Sequence, residues 1–218
     1  AGVITDRTDR RRLILSMDVI RMLAFALAGA VLWLSLPLPE APATGTASPL
    51  AFAAMVLAAL VVGAAEVFRD NAAQTMLPSI VLHERLEQAN GRLWSVEMTG
   101  NALVGPPLGA LLIGLALPLP FLINAGAYGI AALIVAGLAG AYRPNRPEPR
   151  SFRAELAEGL AFLRASPLLR VLAVLTGLWN LFFQMVSIAM VLHVQENLGL
   201  PSTAYGLILA AGAVGGIL

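Results

Sequence analysis

The sequence predicts an all-α membrane protein, a bundle of about five complete transmembrane helices and a truncated sixth. Three observations predict it. Of the 218 residues, 58% are hydrophobic and 12% are charged, where soluble domains carry roughly half and a quarter. Apolar runs longer than about 18 residues recur, and a run of that length crosses a bilayer as a helix. The 14 basic residues are all arginine, and in the loops they fall on alternate ones, the asymmetry that marks cytoplasmic segments. The absence of cysteine excludes disulfides, thiolate metal sites and cysteine nucleophiles. The net charge of +1 carries little information. The chain starts without Met or a signal peptide and ends in an apolar run, so it reads as a piece of a longer protein.

The first dozen residues hold Asp6, Arg7, Asp9, Arg10, Arg11 and Arg12 and run straight into an apolar stretch. Arginines so placed keep that end in the cytoplasm. The first complete span is expected from about Leu13 to Leu38. Asp18 and Arg21 share one face near its inner end. They are expected to pair with each other or to snorkel to the interface. Pro37, Pro39, Pro42, Gly45 and Ser48 then form a turn-rich external loop.

The second span starts near Pro49 and continues to about Ser79, long and tilted. Its inner half carries Glu66, Arg69, Asp70, Asn71 and Gln74. Val81 to Arg92 is polar and cytoplasmic. His83-Glu84 there lacks the second histidine of a zinc helix, since Glu87 stands in its place. The third span, about Leu93 to Leu117, contains Glu97, Asn101, Gly105, Pro106, Pro107 and Gly109. Its glycines permit close helix contact, and its prolines should kink it. Pro118 and Pro120 make a short external turn before the fourth span, about Phe121 to Tyr142, with Asn124 inside it.

Arg143 to about Pro167 is polar again. Ser151 is placed to cap a helix whose apolar residues Phe152, Leu156, Leu160 and Leu163 recur near helical period. Such a helix lies at the cytoplasmic membrane surface or docks a partner. The fifth span, about Leu168 to Val194, carries Asn180 and Gln184 on one face. Pro201 to Thr203 turn outside the membrane, and a sixth span starts near Ala204.

Several of these stretches carry a family resemblance. Gly2-x-x-x-Asp6-Arg7-x-x-Arg10-Arg11-Arg12 resembles motif A of the major facilitator superfamily, with Asp9 where that family usually has glycine. Asn101-x-x-x-Gly105-Pro106-x-x-Gly109-Ala110 resembles its motif C, from which Asn101 and Ala110 depart. Pro78-x-x-Val81, Leu86-x-x-Ala89-Asn90, Phe121-x-x-Asn124-Ala125 and Ala204-Tyr205-Gly206 look like the branch of enterobactin-exporter-type and drug-efflux permeases. The resemblance implies a partial major facilitator bundle, from the end of the second helix to the start of the eighth. Residues 1–142 would then be the remainder of the N-terminal half, 143–167 the cytoplasmic linker, and 168–218 the start of the C-terminal half. It also implies that Gly2, Asp6, Arg7, Arg10 and Arg11 form a cytoplasmic gate, with Asp6 the latch acid.

The site reading is independent of that resemblance. A charge at membrane depth costs at least about 2.5–3.5 kcal/mol, so it faces a cavity or a partner. Glu66, Arg69 and Asp70 fall on one helical face with Gln74 beside them, and Glu97 shares a face with Asn101. Together with Asn71, Asn180 and Gln184 they are candidates to line a substrate or proton pathway, as polar groups from separate helices do in transporters. The alternative is an Arg69–Asp70 or Arg69–Glu66 pair that only fixes packing. For Gly105, Pro106 and Gly109 both helix packing and a hinge stand open. Desolvation favours a protonated carboxyl and a nearby arginine opposes it. The acid paired with Arg69 should therefore stay ionised and the other, Glu66 or Asp70, should titrate.

The expected function is secondary active transport, a proton-coupled export of a small drug-like or siderophore-like molecule by a monomer in a bacterial inner membrane. The expected partners are substrate, protons and the lipid bilayer. No nucleic acid, cofactor or metal is expected. A non-transporting scaffold or receptor of the same fold is the alternative. An intramembrane enzyme has only the acids in its favour, since no nucleophile elbow, aspartyl signature or phosphate-binding loop is present. The topology is directly testable in a protein without native cysteine. An impermeant maleimide added to intact cells should label Ala43→Cys and spare Ser151→Cys; the opposite pattern would overturn the orientation.

Overall fold

The computed structural model describes residues 5, 8–38, 48–138, 140, 142, 152–201, 204–209 and 211. Gly2, Asp6 and Arg7 of the N-terminal motif lie outside them, as do Ala43, Ser151 and the arginines at 143, 146 and 150. The described residues are helical with short connections, and five stretches are long and apolar enough to cross a membrane.

Helix α1 (Arg10–Leu34) starts on Asp9, whose carboxylate accepts the Arg12 amide at 3.1 Å. That satisfies one of the donors a helix N-terminus leaves open, so the departure from the family glycine supplies a cap. The helix ends four residues before the expected Leu38, where Ser35 Oγ bonds back to Val31 O at 2.7 Å just ahead of Pro37. Helix α2 (Pro49–Ile80) starts with Pro49 in its first turn, and Ser48 Oγ accepts the Ala51 amide at 3.3 Å. Its 32 residues extend about 48 Å, more than the roughly 30 Å of hydrocarbon. Pro78 is tolerated in its last turn, after which Val81 turns to extended backbone.

The next span is continuous from His83 to Leu115 but not uniform. It comprises α3 (Leu86–Met98), a π-helical segment (Thr99–Val104) and α4 (Gly105–Leu115). Helix α3 begins inside the polar stretch because nothing between Leu86 and Leu93 breaks it except the tolerated Gly91. The wide π turn sits just before Pro106 and Pro107, where an α-helix would set their rings against carbonyls one turn back. It closes through the Gly105 amide onto Gly100 O. A Cβ at Gly105 would stand 2.6 Å from that oxygen, so glycine is required there. Gly109, in contrast, has no heavy atom within 4 Å of a notional Cβ among the described residues.

Helix α5 (Leu119–Gly137) follows a tight turn at Ala116–Pro118 and ends earlier than the expected Tyr142. Helix α6 (Phe152–Ala165) lies between the fourth and fifth spans with Leu156 and Leu160 exposed. Helix α7 (Pro167–Leu192) runs into a second π turn, His193–Asn197, and the chain leaves it through Gly199 at φ +62°, a left-handed conformation open to glycine. Residues 204–209 are helical again. There a Cβ on Gly206 would lie 2.8 Å from Pro106 O, and Tyr205 Oη donates to Ser187 O at 3.3 Å. These residues therefore touch both α4 and α7.

The packed centre is α1, held between α2 and α5. Against it α2 presents Ala51, Ala58, Ala65 and Ala72, all buried and each seven residues from the next. A seven-residue repeat keeps one face turned to a neighbour at a left-handed crossing, and alanine lets the backbones approach closely. Helix α5 repeats the device with Ala125 and Ala132. Gly29 of α1 supplies the reciprocal space: a Cβ there would stand 2.7 Å from Leu122 Cδ2. Leu13, Ile14, Ala72 and Met76 close the inner end. Ala58→Leu should force the two helices apart and cost about 1–3 kcal/mol, seen as a lower melting temperature in detergent. Ala58→Ser, close in volume, should melt near the parent.

Candidate functional site

The three central helices bring five charged side chains and one tyrosine together. Asp18 and Arg21 come from α1, Glu66, Arg69 and Asp70 from α2, and Tyr128 from α5. At about 1.5 Å per residue, Asp18 lies roughly 12 Å from the Arg10 end of α1 and Glu66 roughly 21 Å from the Ile80 end of α2. Both positions lie inside helices long and apolar enough to cross a membrane.

The pairing differs from the sequence expectation. Asp18 and Arg21 neither pair with each other nor reach the interface; each crosses to α2. Arg21 Nη2 lies 3.5 Å from Glu66 Oε1, and Arg69 Nε lies 3.5 Å from Asp18 Oδ1. The physical reason is that both face the alanine seam, where the close approach of α2 removes the route outward. Asp18 is 0% exposed and Arg21 5%. Arg21 Nη2 also donates to Tyr128 Oη at 2.5 Å, and its guanidinium carbon sits 4.2 Å from the centre of that ring. Away from water such a cation–ring contact is worth about 2 kcal/mol. Phe25 stacks on Tyr128 with the rings 7° from parallel and holds it in place.

Arg69 has a second acid, since its Nη1 donates to Asp70 Oδ1 at 3.2 Å. Of the two pairs open from the sequence, the structure contains Arg69–Asp70, while Glu66 goes to Arg21 instead. The pairing is incomplete. Neither oxygen of Asp18 accepts a hydrogen bond, and the Nε groups of Arg21 and Arg69 are buried without an acceptor.

The remaining candidates lie apart. Gln74 is exposed on α2, and the Asn71 carbonyl accepts Thr75 Oγ1 at 2.9 Å. Glu97 and Asn101 are exposed on the α3 and π segments. Asn180 donates to its own helix at Thr176 O, 2.8 Å away, and Gln184 is exposed. At the N-terminal motif, Arg11 Nε donates to Val135 O at 3.0 Å and its Nη2 donates to Ala136 O. A cation on the last carbonyls of α5 satisfies acceptors the helix leaves open and complements its dipole. The Arg10 amide donates to Tyr142 O at 3.3 Å.

Sequence reasoning missed Asp18, Arg21 and Tyr128 as members of the site. The first two carried a signal, being charges inside an apolar run, but it was resolved locally. Tyr128 carried only a hydroxyl in an otherwise apolar span. The family model described as Major Facilitator Superfamily matches residues 1–218. No curated protein and no solved structure matches the chain.

Arg21 is the cross-brace of the cluster, and removing it leaves Glu66 without its cation. Arg21→Met should lower stability in detergent by about 3 kcal/mol. Tyr128→Phe, which removes only the hydroxyl acceptor, should cost about 1 kcal/mol. Equal losses in thermal unfolding would show that Arg21 acts through Tyr128 alone.

Proposed function

The chain belongs to the major facilitator superfamily, a family of secondary transporters, and from that premise we propose that it couples the export of a small amphipathic molecule, drug-like or siderophore-like, to protons. The observation that carries the proposal is the charge cluster between α1, α2 and α5. Three acids, Asp18, Glu66 and Asp70, meet two arginines, Arg21 and Arg69. With every group ionised the cluster carries one surplus negative charge. At membrane depth that charge is expensive, and one proton removes it. A group of side chains that balances with a proton and unbalances without one is what a coupled carrier requires.

Among the described residues the cluster is unevenly enclosed. The side chains of Glu66 and Asp70 are 53% and 48% exposed, while Asp18 and Arg21 are enclosed. Substrate and protons would reach it past Glu66, Asp70 and Gln74, with Asn71, Glu97, Asn101, Asn180 and Gln184 as further polar lining. The cytoplasmic gate would be the N-terminal motif, where Arg11 already ties α1 to the end of α5. The contact of Gly206 with Pro106 would join the two halves at the Gly-Pro segment. The protein would act as a monomer in a bacterial inner membrane.

Because alternating access needs both halves of the bundle, the test uses the full-length protein in proteoliposomes with an imposed pH gradient and amphipathic probes, ethidium and rhodamine 6G; these 218 residues alone are not expected to transport. The parent should accumulate at least one probe several-fold above empty vesicles. Glu66→Gln and Asp70→Asn each balance the cluster without a proton. Each should keep gradient-free probe exchange and lose gradient-driven accumulation. Accumulation by both variants at the parent level would place coupling outside the cluster. A parent that neither exchanges nor accumulates any probe would be a scaffold or receptor of this fold.

A further inference from the structure

We infer that Asp18 is the acid that binds the coupling proton, and that its protonation releases Arg69 from Asp18 and leaves it on Asp70 alone. The inference rests on the proton-coupled reading of the cluster and moves the proton from Glu66 and Asp70, the acids the sequence points to, onto a third. The groups facing Asp18 are Arg21 on its own helix, Glu66, Arg69 and Asp70 on α2, and Tyr128 on α5. Among the three acids, Glu66 and Asp70 are about half exposed and each has an arginine in reach, at 3.5 and 3.2 Å. The Asp18 side chain is 1% exposed, neither of its oxygens accepts a hydrogen bond, and its one ion-pair partner among the described residues, Arg69 Nε, stands at 3.5 Å.

An ionised carboxylate held this way has no exposure to water and a single arginine at the edge of hydrogen-bond reach, a costly arrangement for a buried acid. Protonation removes the charge from the most enclosed position and brings the five-group cluster to neutrality. The step is simple in its bookkeeping. A proton from the aqueous phase, arriving past the exposed Glu66 carboxylate, adds to one oxygen of Asp18. No other covalent bond changes, and release reverses the addition. Arg69 lies between two acceptors, Asp18 Oδ1 and Asp70 Oδ1. Once Asp18 is neutral, the charge that holds the guanidinium toward α1 is gone, and only its bond to Asp70 on the same helix remains. The ionic tie between α1 and α2 through Arg69 therefore opens on protonation and closes on release, while the Arg21–Glu66 tie persists.

The assignment is read by infrared spectroscopy of the reconstituted protein during a pH titration. The parent should show a carboxylic-acid C=O band near neutral pH. Asp18→Glu should displace that band in frequency and Asp18→Asn should abolish it. Asp70→Glu and Glu66→Asp keep the count of charges and should leave its frequency in place. Absence of the band in the parent, or displacement by the α2 variants and not by Asp18→Glu, overturns the assignment. Asp18→Glu itself keeps the assay informative if the asparagine variant folds poorly. Probe flux in the same vesicles tests the transport reading separately. Flux with a band that does not follow position 18 overturns this inference alone. A band that follows position 18 without flux overturns the transport reading and, with it, the coupling role of Asp18.

Discussion

The arrangement of this protein depends on the cost of placing charge where water does not reach. Five ionisable side chains occupy two helices that are otherwise apolar enough to cross a membrane, and two of them, Asp18 and Arg21, are enclosed. An enclosed charge must find its counter-charge close by, and both find it on α2, so the helices that carry them must touch. Arg21 reaches Glu66 and Arg69 reaches Asp18, both across the α1–α2 seam. Tyr128 on α5 supplies the oxygen and the ring face that complete Arg21. The three-helix centre and the charge cluster are thus one requirement seen twice: the seam brings the charges together, and the charges fix which faces meet.

Much of this was legible in the sequence. The order of spans, the short turn at Pro118 and a helix over Phe152–Ala165 follow from run length, proline and arginine placement, and the structure contains them, although the third span starts seven to ten residues before the expected Leu93. Helix ends were less legible, because capping by Ser35 at α1 and by Leu138 at α5 ends a helix while the apolar run continues. The site was legible on α2, where Glu66, Arg69 and Asp70 share a face. It was not legible on α1, where Asp18 and Arg21, three residues apart, invite a local pairing that the structure does not make. Sequence separation favours local partners; the closeness of α2 reverses the preference, and that closeness is a property of the packed helices.

The proline pair shows a similar limit. Pro106 and Pro107 signal a break in regular helix, and the chain answers with a π turn over Thr99–Val104. The extra residue in that turn rotates the downstream helix α4 by about 100° relative to an unbroken α-helix. Face assignments that run through it, such as relating Glu97 to Gly109, therefore carry over only on the near side of Gly105.

The alanine repeat on α2 has a mechanical consequence. Alanine has no rotamer to change and loses no side-chain entropy on burial. A joint made of Ala51, Ala58, Ala65 and Ala72 therefore has no soft coordinate by which one helix can repack on the other in small steps. Helices α1 and α2 are set to behave as a single stiff beam, with α5 braced to them at Gly29 and Leu122. Compliance at the cluster then resides in its longest side chains, the two arginines, which can swing while the frame stays still. Any larger movement must be taken up at the edges of that beam, where the packing is thinner.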